Sequence, residues 1–204
     1  MPVKVQGVLA LRKALREFAP DLSKELTKEI TSSLKVIQKS ARGFVEDKAP
    51  GNLYNWDFNA ERKITAKNSM FRTFAPEGER VRFFPLYNAT EIKKGIVYRT
   101  GYGKPNSKGF RSLFRIKNLS AAGAIYETAG RKNLGGLTAS GARFVQQGPL
   151  YGRKSSAGDM RGRLLFRAWE QDQGKQMVAI FKAIDEAAAK FKVRSSSGNL
   201  KRIA

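Results

Sequence analysis

The chain has no cysteine and no histidine among its 204 residues. Without cysteine there are no disulfides, no thiol nucleophile and no thiolate metal ligand. Without histidine there is no Ser-His-Asp triad, no imidazole general base and no imidazole ligand for zinc. Acid is scarce too: 17 Asp and Glu stand against 39 Lys and Arg, a formal charge of +22. Long apolar runs are also missing. No stretch approaches the roughly 20 apolar residues that span a bilayer, and the opening Met1-Pro2-Val3-Lys4-Val5-Gln6-Gly7 is not a signal peptide. These absences point to a soluble protein assembled in a reducing compartment, with no catalytic, metal or cofactor site.

What is present is enough for a core. The composition, 41% hydrophobic and 10% aromatic, is that of a globular protein. Val8, Leu9, Leu11, Leu15 and Phe18 recur at helical spacing and stop before Pro20. Asp21 is placed to cap a second helix, along which Leu22, Leu26, Ile30, Leu34, Ile37, Ala41 and Phe44 form one apolar stripe. That helix should run about 25 residues, roughly 37 Å, and stop at Ala49-Pro50-Gly51. The middle changes period. Val81–Phe84, Gly95–Arg99, Phe110–Ile116 and Gly123–Glu127 are short, aromatic and β-branched, and predict strands.

Residues 130–163 are rich in Gly, Ser and Arg and read as a long, flexible loop. Leu164, Leu165, Phe166, Ala168 and Trp169 open a terminal helix, continued by Met177, Ile180, Phe181, Ile184, Ala187, Ala188 and Phe191. Gly174 interrupts it and marks a bend. The expected architecture is α+β: long N- and C-terminal helices packed on a small, mainly antiparallel sheet. It forms a single domain over residues 1–192, with a flexible basic tail at 193–204.

The charge is unevenly distributed along this frame. Residues 60–120 carry fourteen bases against four acids, and residues 131–167 eight against one. Residues 168–189 reverse the sign, with two bases and four acids. Bulk solubility does not require such separation, whereas a contact surface does. The candidate partner-binding residues are Arg143, Arg153, Lys154, Arg161 and Arg163 in the loop, with Lys201 and Arg202 in the tail. A solvated loop and a partner-binding loop fit them equally well.

Two short motifs suggest other chemistry. Gly101-Tyr102-Gly103-Lys104 lacks the spacing of a phosphate-binding loop and reads as a turn between strands. Pro20-Asp21 followed by Glu61-Arg62-Lys63 imitates the layout of a magnesium-dependent nuclease, but helix capping accounts for Asp21 without a metal.

The order of elements resembles the tail-completion (minor tail protein Z-like) family of long-tailed bacteriophages. The likeness lies in the Gly7-x-x-x-Leu11 opening and in the helix that closes on Lys48-Ala49-Pro50-Gly51-Asn52-Leu53. It continues through Ile125-Tyr126-Glu127 ahead of a Gly-rich stretch to Arg163-Leu164-Leu165-Phe166-Arg167-Ala168-Trp169 and a last helix. Residues 54–120 are longer than in compact members of that family. The resemblance implies a non-enzymatic virion protein of the neck or tail top, assembled in the host cytoplasm, that completes tails and joins them to heads. It further implies a homo-oligomeric ring, six-fold by preference, that meets other neck and tail proteins, with no membrane partner; contact with genomic DNA follows if part of that ring faces the channel. The other reading is a basic protein that binds DNA or RNA phosphates directly, with affinity falling steeply in salt.

Overall fold

A computed structural model describes residues 7–48, 56–57, 61–63, 80–82, 85–101, 103–105, 107, 109, 111–129, 150–155 and 158–197. The helices are α1 (Val8–Phe18), α2 (Pro20–Gly43), α3 (Ala89–Gly95), α4 (Ala121–Thr128), α5 (Leu165–Asp172) and α6 (Lys175–Ser196). The strands are β1 (Glu61–Lys63), β2 (Arg80–Arg82), β3 (Ile96–Arg99), β4 (Arg115–Asn118), β5 (Tyr151–Ser155) and β6 (Gly158–Gly162). The α+β class with long terminal helices is borne out. The strands form three two-stranded ribbons, β1–β2, β3–β4 and β5–β6, in place of one sheet. No helix among the described residues is long and apolar enough to cross a membrane.

The chain divides into two compact units. The first comprises residues 1–39, 98–116 and 172–204; the second comprises 40–97 and 117–171. One boundary falls inside α2, so that helix belongs to both.

The first unit is a helical core. Leu11, Ala14 and Leu15 of α1 join Leu22, Leu26, Ile30 and Leu34 of α2 and Ala183, Ile184, Ala187 and Phe191 of α6. The i, i+4 stripe foreseen on α2 is the face that is buried. Ion pairs lie along its rim, Lys190 Nζ to Glu25 Oε1 at 2.5 Å and Arg194 Nη1 to Asp21 Oδ2 at 2.7 Å. Pro20, not Asp21, opens α2, since a first-turn proline gives up an N–H that would have no helical partner. Asp21 lies in the first turn, where its negative charge suits the positive helix end. The helix stops at Gly43, ahead of the expected Ala49-Pro50.

Several expected elements change type. Gly123–Glu127 is helical, part of α4, because Ser120 accepts from Gly123 N at 3.1 Å and caps a run of small residues that pack as a helix. Phe110 lies outside the described residues, and among the described residues of the expected 110–116 strand only Arg115 and Ile116 pair as strand, within β4. The stretch read as a loop over 130–163 holds the antiparallel β5–β6 hairpin, in register from Tyr151↔Gly162 to Ser155↔Gly158. Residues 130–149 lie outside the described residues. The terminal helix is two helices, broken where Gln173 and Gly174 adopt φ of 52° and 79°. Only Gly takes such a φ at no steric cost, so the bend read at Gly174 is there. Residues 193–196, expected in a tail, complete α6; residues 198–204 lie outside the described residues.

Candidate functional site

The second unit buries an acid and a base close together in space. Glu127 near the end of α4 is 4% exposed, and Arg163, just before α5, is 3% exposed. Each serves the other's helix. Glu127 Oε2 accepts from Leu164 N at 2.7 Å and Leu165 N at 3.0 Å, and Oε1 accepts from Phe166 N at 3.0 Å. These are three of the four N–H groups that a helix start leaves without a partner, and the carboxylate also meets the positive end of the α5 dipole. In return, Arg163 Nη1 donates to Tyr126 O at 3.1 Å and Ala129 O at 2.7 Å, the orphan carbonyls of the α4 C-terminus. Two helices whose ends are some 37 residues apart in sequence are thus capped reciprocally.

Close approach is a condition of this joint. A Cβ on Gly162 would fall 2.1 Å from Glu127 Oε1, so only glycine fits there. Burial lowers the Arg163 pKa, and Tyr126 and Glu127 act in the opposite direction.

Aromatic packing extends the joint. Tyr126 meets Trp56 edge-on at 6.4 Å between centroids and Tyr87 at 6.1 Å, while Trp56 and Tyr87 are 5.5 Å apart. Trp56 Nε1 donates to Pro85 O at 2.9 Å, Tyr87 N to Asp57 Oδ1 at 2.9 Å, and the Tyr87 hydroxyl to the Glu46 carbonyl. Burial pushes the Tyr126 phenol up to about 12 and raises that of Tyr87 as well. Arg167 lies between two rings, 4.1 Å from the centroid of Phe44 and 4.5 Å from that of Tyr151. This arrangement fixes geometry. The Glu127 carboxylate is held by three backbone N–H groups.

The sequence-derived contact residues separate. Arg153, Lys154 and Arg161 come together on the β5–β6 hairpin, in backbone register with Met160, Asp159 and Gly152. Arg163 follows that hairpin directly but is buried in the joint, a role its place in a Gly-rich stretch does not announce. Arg143, Lys201 and Arg202 lie outside the described residues. Among the described residues no three His, Cys, Asp or Glu side chains gather as metal ligands. Asp21 of the nuclease-like motif is paired with Arg194. Gly101, Gly103 and Lys104 lie in the segment joining β3 to β4, where Gly103 N donates to Ser112 O at 2.8 Å.

Sequence reasoning missed Glu127 as a cap in trans. The available sign was an acid beside an aromatic in an otherwise apolar, small-residue run, Ala121-Ala122-Gly123-Ala124-Ile125-Tyr126-Glu127. Such a residue is rarely buried unless it is paired. No protein-family model, curated protein or solved structure matches the chain.

Proposed function

We propose that this chain is a structural virion protein of the phage neck or tail top, acting at tail completion and head–tail joining as a ring subunit. One observation carries the reading. The reciprocal cap links two of the segments on which the resemblance to tail-completion proteins rests, Tyr126-Glu127 and Arg163 to Phe166. These two segments, far apart in sequence, are held together in the fold, and that joint serves in this reading as the frame of a ring subunit.

The physics is that of a joining part. Reciprocal caps and edge-on rings tie the segments of the second unit together. The cationic excess over residues 60–120 and 131–167 suits contacts with acidic neighbours, where arginine forms bidentate pairs with carboxylates. In this reading the protein has no enzymatic role. Its partners are its own copies, other neck and tail proteins and, through its basic surface, genomic DNA in the channel.

The test is electron microscopy of particles made without this protein. DNA-filled heads separate from finished tails are expected. Complete particles would refute the proposal, and strongly salt-dependent binding of the purified chain to arbitrary DNA would then favour direct phosphate binding.

A further inference from the structure

Helix α2 carries five bases, Lys24, Lys28, Lys35, Lys39 and Arg42, against three acids, Asp21, Glu25 and Glu29. In the fold these charges are sorted around the helix. All three acids face α6: Asp21 pairs with Arg194, Glu25 pairs with Lys190, and Glu29 bears on Lys190 as well. Lys24, Lys28, Lys35 and Lys39 are exposed, and among the described residues none of the four is ion-paired.

The four lysines stand at i, i+4, i+11 and i+15, so they share one face of the helix, within about 60° of arc. The row is roughly 22 Å long at 1.5 Å per residue. Thr31, at i+7, fills the gap between Lys28 and Lys35. Ser23, Lys24, Thr27, Lys28 and Thr31 line an open hollow of about 340 Å³ along the first half of the row. Arg42 comes next on the same face, but its Nη2 donates to Ile96 O at 2.8 Å, so the row of unpaired cations ends at Lys39.

We propose that this row is a docking surface for duplex DNA, meeting backbone phosphates without reading bases. Its composition favours phosphate over an acidic protein surface. Protein interfaces are depleted in lysine and centre on a buried aromatic or apolar anchor, and this row contains neither kind of residue. Phosphate contacts are made by Lys, Ser and Thr side chains of this kind. No aromatic interleaves the lysines, so the row offers no platform on which single-stranded bases could stack. A duplex carries one charge per about 1.7 Å of its axis, dense enough for each lysine of a straight row to meet a phosphate. The inference deepens the DNA contact of the neck reading and rests on that reading for its biological use, while the surface itself is tested on the purified chain.

Binding of the full chain to a short duplex of arbitrary sequence is measured against salt. Lys24→Gln, Lys28→Gln, Lys35→Gln and Lys39→Gln together should weaken it about 30-fold or more at about 0.1 M salt and flatten the salt slope by about 3–4. The same four positions changed to Arg should bind as the wild type does. A control with the same loss of charge takes exposed lysines off the row: Lys104→Gln, Lys117→Gln, Lys175→Gln and Lys192→Gln. It should stay within about threefold of the wild type.

Unchanged duplex binding by the four-glutamine row, or an equal loss in the control, would overturn the proposal. Poly-glutamate is the second probe. Loss of poly-glutamate binding with the row, while duplex binding is unchanged, would assign the face to an acidic protein and overturn it too. Row-dependent duplex binding together with complete particles in the protein's absence would keep this surface and remove the neck reading. Separate heads and tails, with duplex binding indifferent to the row, would do the reverse.

Discussion

The two units differ in how their buried charge is tied into the fold. The first buries Leu15, Ile30, Leu26 and Phe191 with their helical neighbours, sets the one strongly buried charge among its described residues, Arg12, over the Phe114 ring, and has ion pairs at the surface. The second buries a carboxylate, a guanidinium and the Tyr126 phenol in one connected network, with the half-buried Tyr87 ring against it. Apolar burial is non-directional and tolerates adjustment. A buried polar network has no such tolerance, because removing one member leaves the others desolvated and unpaired. The difference teaches where each unit should break.

The largest effect is expected from Glu127→Ala. It strands three N–H groups of α5 and leaves Arg163 buried without its counter-charge, a loss of about 3–5 kcal/mol by analogy with broken buried pairs. Calorimetry of the variant checks this, and Glu127→Gln, which keeps an acceptor, should fall between it and the wild type. In the first unit, Ile30→Ala removes a side chain that is 0% exposed and should cost about 2–4 kcal/mol through lost burial and the cavity left behind. Chemical denaturation should show a lower midpoint without a changed slope.

Alkali separates the units next. The folded state holds the Tyr126 phenol at about 12, above the 10.0 of an ordinary tyrosine, so it favours the neutral form. That contribution, about 2–3 kcal/mol, is complete below pH 10 and is lost as pH rises through 12. Trp56, packed against Tyr126, should report the loss by fluorescence, and Tyr126→Phe should move the transition upward. The smallest effect belongs to the surface pair Arg194–Asp21, where Arg194→Ala should cost under about 1 kcal/mol and less in high salt. Arg194 lowers the Asp21 pKa from 3.8, so the pair stabilises above that value and is lost as pH falls through the lowered folded value.

The same contrast decides what can be read from sequence. Leu22, Leu26, Ile30, Leu34, Ile37 and Ala41 announce α2 because local periodicity and burial coincide there. Gly123–Glu127 reads as a strand because Ile125 and Tyr126 favour strands, yet a Ser120 cap and the small residues Ala121, Ala122, Gly123 and Ala124 hold it helical. Nothing local pairs Glu127 with the start of α5, since the partners are 37 to 39 residues away and the bonds are to backbone N–H groups. The β5–β6 hairpin is hidden for a related reason. Its Gly, Arg and Ser content reads as loop, and only cross-strand pairing reveals it. Met177 and Phe181 are the converse, having the period of a buried face without its burial.

Hydrogen exchange resolved along the chain of Glu127→Ala tests most directly whether the reciprocal cap is what holds the second unit. Amides of α4, the 162–166 segment and α5 should lose protection, while those of α1, the first half of α2 and α6 keep theirs. A uniform loss over both sets, or none in either, would contradict the account.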